Sequence, residues 1–465
     1  AVGYNSLGAN TTGTSNVAIG YAALDANTTA SNNTAVGYNA LTTNTTGSAN
    51  TGIGLAALGV NTTGINNTAM GAYALDANTT GHYHVALGNF ALSANTTADG
   101  NTAAGYAALA ANTTGAANVG IGREALTANT TGSGSVAVGA YALDANTTTS
   151  NNTAIGSYAL TANTTGALNI AVGGYSLDAN TTGGQNTGVG QNALSANTEA
   201  SYNVAVGADA LLVNTTGQGN IAIGFAALDA NTTADGNVAV GRQALSANTS
   251  AGGNVAMGYQ AMLVTTTGAT NTAVGHVALA ANTTGASNVA VGAYALDANT
   301  DASNNTAVGH AALSANTTGT RHTALGKGAL DAMVDGSDST ALGYNALGAH
   351  TGAAATAVGS ECMALNTGSQ NSGFGYGVLT TNSTGAYNTG VGYQALTTND
   401  TGSYNTAVGT TALKVNLADN NTAVGHNALI ANTTGASNVA VGANALDANT
   451  TASYNSAVGL SALTA

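Results

Sequence analysis

One column of glycines constrains this chain more than any other feature. Glycine recurs every seventeen residues at Gly3, Gly20, Gly37, Gly54, Gly71, Gly88, Gly105 and Gly122, and the step holds to Gly343. It then continues through Gly359, Gly375, Gly392, Gly409, Gly425, Gly442 and Gly459, with three steps of sixteen among them. A fixed period of this length marks a chain made of one stacked supersecondary unit. Seventeen residues are too few for a helix–strand pair but suit one turn of a narrow coil. The sequence therefore predicts an all-β protein: a parallel β-solenoid or β-roll of about 28 coils with 17 residues per coil. With coils about 4.8 Å apart, such a stack is on the order of 130 Å long. We read residues 1–465 as a single uninterrupted repeat array and as a fragment of a longer repetitive protein, since solenoids normally carry caps.

Aligning the units on the glycine separates fixed from free positions. The residue before it is apolar throughout (Val2, Ile19, Val36, Ile53, Met70), and two before it only Ala or Gly occurs. Three after it Ala dominates, and four after it only Leu or Met occurs, as at Leu7, Leu24 and Leu41. The first and second positions after it vary freely, from Tyr4 and Arg123 to Phe90 and Asp209. Within Asn16-Val17-Ala18-Ile19-Gly20 the period is two, which predicts a short strand, with a second strand ending at Ala23-Leu24. The column of Gly20, Gly37 and Gly54 is placed at a corner or bulge, and Asn-Thr-Thr-Gly supplies the return turn. On this reading Val36 and Leu41 belong to two large apolar columns that fill a thin core. The Ala/Gly column, pointing the other way along the strand, forms a smooth outer face suited to the close approach of another chain.

Two asparagine columns complete the pattern. Asn sits seven after the glycine at Asn10, Asn27, Asn44, Asn61, Asn78 and onward, with Thr265, Met333 and His350 as exceptions; a second column starts at Asn16. Stacked Asn side chains hydrogen-bond from layer to layer in cross-β assemblies, so both are expected to be structural ladders. The same Asn-Thr-Thr segments make Asn10, Asn27 and Asn44 candidate glycosylation acceptors, provided the turn bulges into solvent.

Composition narrows the function classes. The chain has no Pro, 64 Gly, five Lys plus Arg, 5% charged residues and a net charge of −14. A basic stripe for nucleic acid is lacking, no segment has the length of a membrane helix, and no signal peptide is expected within this segment. No nucleic-acid or membrane partner is expected for this segment. The single Cys362 stands where other units have Ala and reads as a buried substitute. His276, His310 and His426 fall in a variable column and His82 and His84 form an isolated pair, so the seven histidines are expected to be surface substitutions. Asp25, Asp76, Asp144, Asp178, Asp229, Asp297, Asp331 and Asp447 share one column but lack the glycine-rich calcium nonapeptide. No catalytic residue, metal site or cofactor is expected, and the chain is read as a non-enzyme.

The segments Asn16-Val17-Ala18-Ile19-Gly20, Ser135-Val136-Ala137-Val138-Gly139 and Asn254-Val255-Ala256-Met257-Gly258 resemble the repeat unit of YadA-type trimeric autotransporter heads. Gly-Tyr-x-Ala-Leu followed by Asn-Thr-Thr-Gly is also similar to repeats that precede tail-fibre chaperone domains. The resemblance covers the whole chain and departs from the YadA-type heads in its longer period. It implies a left-handed, homotrimeric roll displayed on a bacterial surface. The expectation is therefore an extracellular or cell-surface structural fibre, the shaft of an adhesin or surface filament. Its partners would be copies of itself, as a homotrimer or an end-to-end filament, and host-surface or matrix glycans. The alternative is a phage-like tail fibre, or an ice- or glycan-binding rod whose side face recognises a ligand.

Overall fold

The computed structural model describes residues 1–464, which fall into two compact units, the first Ala1–Gly236 and the second starting at Asn237. The first holds β1 (Val17–Ile19) through β13 (Ile221–Ile223), and the second β14 (Val238–Val240) through β29 (Ser456–Val458). Strands are the only regular elements among the described residues. Each unit is a parallel β-solenoid. In the first, β1 pairs with β2 (Thr34–Val36) in the register Val17↔Thr34, Ala18↔Ala35, Ile19↔Val36, a displacement of one repeat. The sixteen-residue repeats keep that alignment, as in Thr340↔Thr356 and Thr406↔Thr422. The missing residue is taken from the return turn, where no strand register depends on it.

The strand faces are the reverse of the sequence expectation. Ala18, Ala35 and Ala69 are completely buried, whereas Ile19 is 43% and Met70 44% exposed. Val36 is half-buried and points outward. The core column is instead the small one, packed against Ala40 and Leu41, both fully buried. Space explains this choice. At Gly52, in the small column, an added Cβ would lie 3.3 Å from Leu41 Cγ and 3.0 Å from Ala57 O. The lumen accepts one methyl group per coil at that level, so Val or Ile must face out. The argument that a small outer column invites a neighbouring chain therefore fails.

The second strand is also absent from almost every coil. The residues after the glycine form a run of turns in which alternate positions are left-handed, as at Asn39 (φ 57°) and Leu41 (φ 52°). The two left-handed residues aim their N–H groups at opposite neighbours: Asn39 N–H donates to Tyr21 O (2.9 Å) and Leu41 N–H to Ala57 O (3.0 Å). Inter-coil bonding thus continues around the corner without strand geometry. A left-handed Leu costs about 1 kcal/mol, and burying its side chain returns about 2 kcal/mol. Only two coils open this region into short strands, β22 (Leu365–Asn366) and β24 (Thr381–Asn382), which pair with each other.

The glycine column is needed on two counts. Gly37 has φ 140°, outside the range open to L side chains, and a Cβ there would sit 2.3 Å from Gly54 O. Gly20 and Gly54 face the same contact with their own neighbours.

This inside-out assignment gives a sharp test. Leu41→Ala is expected to cost about 3 kcal/mol, while Val36→Thr changes stability by about 0.5 kcal/mol or less. Urea unfolding followed by circular dichroism reads both, and equal losses would mean that Val36 is core after all.

Candidate functional site

Half of each coil's interior is apolar, made by Ala and Leu, and the other half is amide. In the first unit the Asn column runs unbroken. Asn27 Nδ2 donates to Asn10 Oδ1 (2.9 Å), Asn44 to Asn27 (3.1 Å), Asn61 to Asn44 (2.8 Å) and Asn78 to Asn61 (2.9 Å). The same link repeats in every coil to Asn231. The second Nδ2 hydrogen goes to a carbonyl three residues on, as from Asn44 to Gly47 O (2.8 Å). The second Asn column meets the same acceptor: Asn33 Nδ2 donates to Gly47 O at 2.9 Å. Its Oδ1 accepts the backbone N–H of its counterpart in the next coil, as from Asn50 (2.9 Å). A third, outer ladder is made by threonine, with Thr28 Oγ1 donating to Thr45 O (3.2 Å) and Thr45 Oγ1 to Thr62 O (3.1 Å). In the first unit the buried amides of both columns have Oδ1 and Nδ2 answered, the condition under which a polar interior stabilises rather than costs.

This geometry corrects the glycosylation candidates. Asn27 and Asn44 are fully buried, and both Nδ2 hydrogens of each are spent on the ladder. A sugar on either would displace the coil above it. Asn10, at the first described coil, is half-buried and donates to Gly13 O.

Three histidines also depart from expectation, for they are interior. His84 and His322 are 1% exposed and His350 is completely buried. His84 and His322 stand in the second Asn column, four before Gly88 and Gly326, a placement already legible from the register. His350 stands in the first. Burial pushes its pKa down to about 4. It is therefore neutral in the folded chain where an unfolded histidine charges near 6.5. Its contribution to stability is complete above pH 6.5 and declines as the pH falls toward 4.

In the second unit the first column is weakened at Thr265, whose Oγ1 lies 3.5 Å from Asn282 Nδ2, and fails at Met333. Met333 offers neither donor nor acceptor, and on either side of it Asn316 Oδ1 and His350 Nε2 have no partner. The buried Cys362 fills an Ala position, and desolvation pushes its thiol up to about 12, keeping it protonated.

Outside the coil, the Asp column carries carboxylates two, three, four or seven coils apart and never in adjacent coils. Like charges in register along a ladder repel, and this spacing avoids them. Partial burial raises the pKa of Asp76, Asp178, Asp229, Asp297 and Asp331. No cluster of three or more His, Cys, Asp or Glu exists among the described residues. Aromatic side chains in the free columns stack where they fall in consecutive coils, as in Tyr21–Tyr38 (5.1 Å) and Tyr141–Tyr158 (5.1 Å).

The outer sheet face is the surface the sequence reading missed. It carries two columns, one before the glycine and one three before it. In the first unit the latter runs Val17, Thr34, Thr51, Thr68, Val85, Thr102 and onward. No charged residue occurs in either column. The signal was present: in most three-residue strands two bulky residues flank a small one, and only the small one fits a seventeen-residue lumen.

No protein-family model matches this chain, and no curated protein matches it.

Asn61→Ala strands Asn44 Oδ1 and one Asn78 hydrogen in the interior and is expected to cost about 3 kcal/mol. Met333→Asn rejoins the interrupted ladder and is expected to add about 1 kcal/mol. Thermal unfolding of the two variants measures both signs; a neutral Asn61→Ala would show that the ladder is ornamental.

Proposed function

We propose that this chain is the shaft segment of an extracellular structural fibre, a bacterial surface adhesin or surface filament. It acts mechanically rather than catalytically. The proposed coil is left-handed and the proposed assembly a homotrimer packed side by side. The observation that carries this reading is the outer sheet face. Its Val, Ile, Thr and Met side chains stand exposed or half-buried in register, with no charge to oppose contact. An apolar surface of this regularity marks an interaction site, and a second copy of the same chain presents the same repeat. Ladders inside each coil supply stiffness, and the free columns let the remaining surface vary without disturbing them.

A second reading rests on a different column. The outer threonine of Asn-Thr-Thr is exposed in every coil from Thr12 to Thr182, with no interruption. A hydroxyl and a methyl group repeated at one strand spacing, about 4.8 Å, suit a ligand with its own lattice. That supports a phage-like tail fibre or an ice- or glycan-binding rod.

Light scattering on the intact chain separates these. The fibre reading expects a mass near three times 44.4 kDa, reduced to a single-chain mass by Ile155→Asp with circular dichroism unchanged. A single-chain mass for the unaltered protein would overturn the side-by-side trimer. Binding to ice or a crystalline glycan, lost on Thr80→Tyr, would then favour the second reading.

A further inference from the structure

Two interior histidines, in separate compact units, make the same bonds to the backbone; His84 Nε2 also lies 3.1 Å from Asn95 Nδ2. In the second Asn column each side chain must do two things. It accepts the N–H of its counterpart in the next coil, and it donates to the carbonyl shared with the first Asn column. Asn achieves both with Oδ1 and Nδ2. His84 replaces them with its two ring nitrogens: Nδ1 lies 3.1 Å from Asn101 N, and Nε2 lies 2.6 Å from Ala98 O. Its own N–H donates to Asn67 Oδ1 (2.9 Å), as an Asn in this column would. His322 repeats the arrangement, with Nδ1 3.3 Å from Ser339 N, Nε2 2.7 Å from Gly336 O, and its N–H on Asn305 Oδ1 (2.9 Å).

A backbone N–H is a fixed donor, so Nδ1 must accept, and the hydrogen must sit on Nε2 for the carbonyl. Only one neutral tautomer satisfies both. Protonation places a second hydrogen on Nδ1, pointing at Asn101 N–H or Ser339 N–H. Donor then faces donor, and a cation is buried in the ladder. Asparagine at the same position has no such failure.

We propose that His84 and His322 are acid-labile joints, at which mild acid opens the local coil while the Asn-laddered coils remain closed. The surroundings agree in direction. Desolvation lowers the pKa of both residues. Asp99 beside His84 and Asp338 beside His322 oppose that lowering, while His82 and Arg321 reinforce it. The sign follows: bonding at the joint is complete above pH 6.5, and it weakens as the pH falls toward the depressed folded value. In that window opening rises by up to about tenfold per pH unit. A fibre built this way would come apart at chosen coils in an acidic compartment rather than along its whole length.

Hydrogen exchange on the full chain tests this, with rates corrected for intrinsic pH dependence. The opening constant of the Asn101 amide should rise about fivefold between pH 6.5 and 5.5, while the Asn50 amide, in an Asn-only stretch of the ladder, stays level. In His84→Asn, which restores the residue of neighbouring coils, the Asn101 amide should also stay level. An Asn101 response that survives His84→Asn, or that is missing from the unaltered chain, overturns the proposal. A nitrogen-15 titration gives a second reading: His84 and His322 should hold the Nε2–H tautomer and protonate below the ordinary imidazole value of about 6.5. Protonation at or above that ordinary value would equally contradict it.

Discussion

Stacked asparagine amides are the interaction on which this architecture depends. A seventeen-residue coil encloses too little apolar surface to hold itself closed, and its return turn brings backbone carbonyls into the interior. A carboxamide carries both a donor and an acceptor on a short stem. One side chain can therefore close its own turn and clasp the next coil. From Asn10 to Asn231 that clasp repeats without a gap, and a second Asn column shares its carbonyl acceptors. The apolar half of the lumen is then free to be minimal, with two methyl groups and one Leu in each coil.

The narrow lumen dictates what the rest of the surface becomes. Because only Ala or Gly fits between strand and turn, the bulky β-branched residues that favour strands are driven outward. The interior specification therefore generates an exposed apolar face. Strand formation, lumen size and a sticky exterior are consequences of one constraint. The same economy appears at the corner, where alternating left-handed residues replace a second strand and bond to both neighbouring coils.

Period, parallel stacking and the Asn columns were legible because each coil votes on them: a residue needed in every layer is repeated in every layer. What one coil's alternation does not encode is which face is inside. Val36 and Ala35 alternate either way, and hydrophobicity alone chose the wrong one. Volume decides, as the space beside Leu41 makes plain. The second strand failed for a related reason, since Tyr21-Ala22-Ala23-Leu24 has strand-like composition while its conformation is set by bonding above and below. His84 and His322 looked like surface variants until placed in register, where they occupy an amide's position and make an amide's bonds. Met333 shows the converse: a residue that fits the space but not the bonding, leaving Asn316 and His350 each short of a partner.

Side-chain amide exchange addresses the ladder most directly. Two-dimensional nitrogen-15 spectra resolve the Nδ2 hydrogens of asparagine, and their exchange with solvent reports whether they are engaged and buried. The interior amides of Asn27 through Asn231 should exchange orders of magnitude more slowly than those of exposed Asn32 or Asn66, with both hydrogens of each protected. Interior amides exchanging as fast as the exposed ones would contradict the ladder, and with it the account of how these coils are held together.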